Sequence, residues 1–247
     1  MQKKSLLAIW EADMELNAKK LLEIERFSCQ AELTGGLIHE INNSLTAILG
    51  FTQLLIISPH DRDDENQDLK AIEEEVLRSR KMIQSFMHLF QQYQEVEGPL
   101  EMNSLLEHLL FPLQNQWQFL HIDLIKEFSP EDLYFRGSLQ EWRIVLIGLL
   151  LRAVQAAGQK GILKIITSQK GAGEAFQVVI EGSETRVQKG MAVRPFISLQ
   201  SPRKKVVDLA AYLAQRAAKQ SGGALMVEHP PQGGFTISIT LPMAAGR

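Results

Sequence analysis

Apolar residues recur at alternating steps of three and four over two long stretches of the chain. Ile38, Ile41, Leu45, Ile48, Thr52 and Leu55 keep this spacing in the first, and Leu69, Ile72, Val76, Ser79, Ile83, Phe86, Phe90 and Tyr93 in the second. Such spacing is the heptad seam of a packed α-helix. The first helix is predicted to end near Ser58-Pro59, and His60-Asp61-Arg62-Asp63-Asp64 reads as a polar turn. Two helices joined by a short turn form an antiparallel hairpin. One hairpin buries its seam poorly, so two copies packed as a four-helix bundle are the expected solution. Upstream, helix formers over residues 4–27, with Leu7, Trp10, Met14, Leu21, Leu22 and Ile24 among charges, predict an amphipathic lead-in helix. Gly35-Gly36 is a place for it to break or flex.

Glu97-Gly98-Pro99 reads as a hinge between domains. Beyond it the period switches repeatedly. Helices are predicted over residues 102–116, 139–157 and 206–220, and strands over 122–128, 162–167, 176–180, 225–228 and 235–241, with Gly233-Gly234 as the last hairpin turn. The predicted class is α+β: a helical hairpin that dimerises as a four-helix bundle, followed by an α/β sandwich with one sheet and helices on one face. The boundaries drawn are residues 1–28 for the lead-in helix, 29–96 for the hairpin and 100–247 for the sandwich.

With 247 residues, 45% of them hydrophobic, the chain is long enough for two modest cores. A formal charge of −3 leaves no nucleic-acid footprint. The longest apolar run, residues 144–151, is too short to span a bilayer and is bracketed by Arg143 and Arg152. No signal peptide is read, and a cytoplasmic location is expected. The single cysteine, Cys29, excludes an internal disulfide and reads as structural.

Candidate chemistry centres on Leu37-Ile38-His39-Glu40-Ile41-Asn42-Asn43-Ser44-Leu45. His39 is off the predicted seam, on a face shared with Asn43, Thr46, Gly50 and Gln53. A carboxylate that takes the hydrogen of one imidazole nitrogen makes the other a better nucleophile, and Glu40 is adjacent for this task. Asn43, one turn on, carries an amide able to orient a water or steady a phosphoryl group. The trio fits a phosphoryl-accepting histidine. His88, which lacks an adjacent carboxylate and a following amide, reads as a surface residue.

These residues, with Gly35-Gly36 before them, resemble the phosphoacceptor box of two-component sensor histidine kinases. The resemblance implies a hairpin whose histidine is phosphorylated from ATP and passes the group to a response-regulator aspartate. By position it makes His39 the acceptor, Glu40 the acid/base partner and Asn43 the residue linked to phosphatase activity. Ser44 stands where that family usually has proline, which leaves the helix straighter.

The later elements resemble the ATP-binding domain of the same kinases, through the helix at 142–157, the phenylalanine of Arg194-Pro195-Phe196, Ser221-Gly222-Gly223 and the closing strand. The nucleotide-holding residues depart from the family. Arg152 and Gly148 replace two asparagines, and arginine cannot ligate a cation. Glu181 aligns with the adenine-binding aspartate, and Ser183 and Thr185 with the glycines beyond it. Asp208 falls in the second glycine box, where a carboxylate repels phosphate. No metal ligands and no cofactor are expected, with ATP and Mg²⁺ entering only if the domain is a divergent active kinase. A fixed cation, with Arg152 first and Lys204 and Lys205 beside it, is the alternative means of holding phosphate.

The expected function is two-component signalling in which a homodimer relays phosphoryl groups between His39 and a response-regulator receiver domain, or dephosphorylates that receiver, without ordinary ATP binding. Two alternatives stand beside it. One is an active autokinase; the other is a non-catalytic scaffold or antagonist that binds a receiver or a partner sensor kinase.

Overall fold

The computed structural model describes residues 17–57, 62–91, 97–119, 121–158, 161–183, 208–230 and 234–245. Residues 30–91 form one compact unit, and residues up to 29 together with 92–247 form the other. The first unit is a hairpin of α1 (Ala18–Ile57), whose opening turns belong to the other unit, and α2 (Arg62–Phe90). Helix α1 runs unbroken through Gly35-Gly36. A helical glycine costs about 1 kcal/mol against alanine, and Leu33 and Leu37, buried on either side of the pair, hold the helix together across it. Arg62-Asp63-Asp64, expected in the turn, belongs to α2, whose first turn suits acidic residues. Tyr93 and residues 58–61 lie outside the described residues.

The hairpin buries only part of the stripe the spacing suggests: Phe90 is buried and Ile41, Ile48, Ile72 and Phe86 are half-buried, but the deepest positions on α1 are shifted round the helix. Leu33, Leu37, Glu40 and Ser44 of α1 face inward, with Met82, Leu89 and Phe90 of α2. Ile38 and Leu45, assigned to the seam, are 53% and 55% exposed, and Leu69, Val76 and Ile83 are exposed on α2. The physical reason is that residues 37 and 44 repeat with the same period as 38 and 45, one position round the helix. Glu40 and Ser44 disguise the inner stripe as polar. Ser44 is buried and its Oγ donates to Glu75 Oε1 at 2.5 Å, tying the two helices together.

The second unit is an α/β sandwich. Strand β1 (Glu97–Glu101) pairs antiparallel with β3 (Tyr134–Ser138), from Glu97 opposite Ser138 to Glu101 opposite Tyr134. The expected hinge at Glu97-Gly98-Pro99 is therefore strand, and β3 is an element the sequence pattern did not reveal. Helix α3 (Met102–Phe119) starts on Glu101, whose carboxylate accepts from the backbone N–H of Asn103 at 3.0 Å, Ser104 at 2.5 Å and Leu133 at 3.1 Å. The main sheet joins β2 (Asp123–Glu127), β4 (Ile162–Lys170), β5 (Ala175–Ser183), β7 (Phe235–Pro242) and β6 (Ala224–Glu228), in that spatial order. Only β2 with β4 is parallel. Helices α4 (Leu139–Ala157) and α5 (Leu209–Gln220) cover one face with α3.

The core lies between helices and sheet. Leu106, Leu109, Leu110 and Leu113 of α3 are buried with Leu163, Ile165, Val178, Ile180, Ile237 and Ile239. Phe135 stands edge-on to Trp142 at 5.0 Å between centroids and 6.0 Å from Phe176. Phe176 and Ile180 come from alternate positions of β5, so Gln177, Val179 and Glu181 point to the opposite face of the sheet. No described helix is long and apolar enough to cross a membrane.

Ser44→Ala is expected to lower hairpin stability by about 1.5–3 kcal/mol, the range for a lost hydrogen bond to a charged group, measured by denaturant unfolding. Desolvation raises the Glu101 carboxyl, but the N–H groups of Ser104, Leu133 and Asn103 outweigh it and hold it below 4.5. Its stabilising contribution is present above the unfolded value and disappears as pH falls through the lowered one. Glu101→Gln should therefore melt lower than wild type at pH 7, with the gap closing as pH drops below 4.5.

Candidate functional site

His39, Asn43, Thr46 and Gln53 are all exposed on α1. Asn43 Nδ2 stands 3.2 Å from His39 Nδ1, one turn away. A half-turn of the carboxamide exchanges its oxygen and nitrogen without changing its shape. With Oδ1 toward the ring, Nδ1–H donates and the lone pair resides on the outer Nε2. With Nδ2 toward the ring, Nδ1 accepts and Nε2 carries the proton. Only the first arrangement leaves Nε2 nucleophilic, so the orientation of Asn43 selects the reactive tautomer.

Glu40 does not stand at the ring. It is 2% exposed, inside the hairpin, and neither carboxylate oxygen has a hydrogen-bond partner among the described residues. Successive helix positions are about 100° apart, so neighbours in sequence occupy different faces. Burial raises the Glu40 carboxyl above its ordinary 4.5, while the charges of Arg78 and His39 pull it back. Beside it Ser44 bonds Glu75, and Glu75 Oε1 lies 3.8 Å from Arg78 Nη1. This polar layer within the hairpin escaped the sequence reading. Its signal is the seven-residue step from Leu33 to Glu40, and from Leu37 to Ser44.

In the second unit α4 and α5 lie side by side in opposite directions. At one end Arg216 Nη1 meets Glu141 Oε1 at 3.1 Å; at the other Arg152 Nε is 3.7 Å from Asp208 Oδ2. Arg152 Nη1 also donates to Gln155 Oε1 at 3.3 Å. Asp208 is the N-cap of α5 and accepts from the Ala211 N–H at 3.2 Å. A helix N-terminus attracts anions through its free N–H groups and dipole, and here the chain's own carboxylate occupies that position. Gly148 lies between the two ion pairs. A Cβ there would stand 3.1 Å from that of Ala210 and 2.8 Å from Glu25 Oε1, a carboxylate of α1.

Gly148, Arg152 and Asp208 thus come together, and Glu181 does not join them. It lies on the opposite sheet face, opposite Lys164 on β4 and Thr236 on β7. The helix side at this height belongs to Gly182, where a Cβ would run into the Phe235 ring. Ser183 ends β5, and Thr185, Phe196, Lys204 and Lys205 lie outside the described residues. At the Glu141–Arg216 end a cavity of about 1200 Å³ is lined by Lys19, Leu22, Arg136, Trp142, Gln220 and Ser221, among others. Among the described residues no group of three or more His, Cys, Asp or Glu side chains is placed to hold a metal ion.

Residues 30–92 match the His Kinase A (phospho-acceptor) domain family. Over 225 residues, 91% of its length, the chain is 24% identical to the signal transduction histidine-protein kinase AtoS of Escherichia coli K12, covering 37% of that protein. It is 23% identical to sporulation kinase C of Bacillus subtilis 168 over 93% of the chain and 53% of that protein. The chain therefore spans between about a third and a half of these relatives. Among solved structures, histidine kinase ThkA in complex with response regulator protein TrrA aligns over 96% of this chain and 67% of that one, with TM-score 0.48 and 19% identity. Residues 30–92 thus carry the phospho-acceptor domain, and over nearly its whole length the chain is similar to members of the two-component sensor histidine kinase family.

Proposed function

We propose that this protein is a phosphoryl-relay member of that family, passing phosphoryl groups between His39 and the aspartate of a response-regulator receiver domain, or hydrolysing them, without ordinary ATP binding. His39 Nε2 attacks the phosphorus of the receiver's aspartyl phosphate. The P–N bond forms as the P–O bond breaks, and the aspartate returns as carboxylate. The reverse transfer phosphorylates a receiver. Asn43 holds the nucleophilic tautomer in the first case and orients an attacking water in the hydrolytic one. Glu40 serves as acid/base partner only after its side chain leaves the hairpin interior.

The observation that carries the relay reading is the Arg152–Asp208 pair. In the position the family uses for Mg²⁺ and phosphates, the cation is already matched by a carboxylate, and that carboxylate already caps α5. A triphosphate entering here would displace Asp208 from both partners and meet its negative charge. Glu181, on the far sheet face, is not available to an adenine on the helix side. In this reading the charge pattern of these residues opposes Mg²⁺-ATP. The exposed stripes of Ile38 and Leu45 on α1, and of Leu69, Val76 and Ile83 on α2, support a homodimer in which a second hairpin covers them. In this reading the protein is cytoplasmic and the phosphoryl group originates on another kinase.

Incubated with a phosphorylated receiver, wild type is expected to take up label or accelerate its loss. His39→Ala should abolish both, and Asn43→Ala should slow them by about a hundred-fold. Equal rates for wild type and His39→Ala would refute the relay. Titration with ATP, with and without Mg²⁺, should give no saturable binding at millimolar nucleotide. Acid-labile label on His39 from ATP alone would make the protein an autokinase instead.

A further inference from the structure

Glu25 is 1% exposed, yet it sits in a segment whose other polar residues are largely exposed. Its neighbours on the helix explain the placement. Ala18, Leu22, Glu25 and Cys29 follow one another at steps of four, three and four, a single stripe along about three turns of α1. Ala18, Glu25 and Cys29 are buried, and Cys29 Sγ donates to Glu25 Oε1 at 3.6 Å. At the start of the stripe, Ala18 and Leu22 share a cavity wall with Glu141, Trp142, Arg216 and Ala217. Further along, Glu25 Oε1 reaches the bare Cα of Gly148, beside Ala210. Residues 18–29 therefore lie lengthwise on the α4–α5 pair.

The sequence of that pair suits a docked helix. Ala210, Ala211, Ala214, Ala217 and Ala218 make α5 thin where it is buried. Gly148, in the middle of a 19-residue helix, is an otherwise unfavourable residue, worth about 1 kcal/mol less than alanine there. A side chain at 148 would take the volume that Glu25 fills.

We infer that the α4–α5 groove is the receptor site for the chain's own helical segment 18–29, with the Glu25 carboxylate seated in the Gly148 notch as its anionic ligand. The docking itself does not depend on the relay reading; only the equation of this groove with the family's nucleotide face does. The degenerate domain then holds the opening turns of the helix that carries His39 further along. A carboxylate takes the place of a phosphate, and seating or release of the segment replaces nucleotide exchange as the event the domain registers.

Cys29, the single cysteine, is a built-in reporter on the full-length chain. In native buffer its thiol should react with a maleimide far more slowly than in denaturant. Gly148→Asn fills the notch and should speed labelling by about ten-fold or more, through a larger open population. Glu25→Arg, which alters the segment and leaves the sandwich sequence intact, should do the same, with far-UV dichroism of both variants unchanged. Wild-type Cys29 that labels like a free thiol, or variants that fold and label at the wild-type rate, would overturn the docking. Millimolar Mg²⁺-ATP that accelerates labelling of wild type would leave the docking standing and defeat the ATP-free reading, because nucleotide and segment would then compete for one groove.

Discussion

The central turns of α4 have no solvent face. Residues 142–151 are buried without interruption, Arg143 included, so the helix must be enclosed on every side. The sheet covers one side through β5 and its neighbours. Helices α3 and α5 flank it. The side that remains is closed where α1 brings Glu25 against Gly148. Removing the sequence 18–29 from the chain would thus uncover a wall built from apolar residues and small ones, which explains why a segment upstream of the hairpin belongs to the sandwich.

Enclosure also shapes the polar groups around α4. Each is matched locally: Glu141 by Arg216, Arg152 by Asp208 and Gln155, and Trp142 Nε1 by Ser221 Oγ at 3.3 Å. Ion pairs at partly exposed positions contribute little to stability, so their importance here is geometric. They fix α5 along α4 and use up the charges that a bound anion or cation would otherwise recruit. In the proposed function that internal matching accounts for a domain retained as a structure while its nucleotide chemistry lapses.

The hairpin obeys a different constraint. Its interior carries a polar layer, Glu40 with Ser44 and the half-buried Glu75, edged by the exposed Arg78, directly behind the face that presents His39 and Asn43. Ser44 keeps its own N–H in the helix and adds a cross-helix bond, where a proline would remove a donor and bend the chain. Glu40 is left as a buried carboxylate with a raised proton affinity. The histidine's ring is steadied from its own helix by Asn43, so the exposed His39 face and the buried layer are separate arrangements on one helix.

Much of this was legible in residue order. Heptad spacing announced two long helices, and the five strands of the main sheet followed from β-branched alternation between turn residues. His39 on a polar face with Asn43 one turn on is a local relation, set by the helical repeat alone, and the folded chain keeps it. Other features depended on what packs against what. Spacing could not tell the stripe of Leu37 and Ser44 from that of Ile38 and Leu45, because both repeat every seven residues and only the partner helix chooses between them. Strands β1 and β3 are short and polar at their ends, so their pairing, not their composition, makes them strands. Glu181 was placed by alignment at a nucleotide site, but the pleat turned it to the other face. Glu25 in the Gly148 notch joins residues more than a hundred positions apart, and no local pattern marks such a contact. The sequence alone determined which helices form and which chemistry His39 can offer; the tertiary structure decided which faces those helices bury, because burial is settled by the surface on the other side.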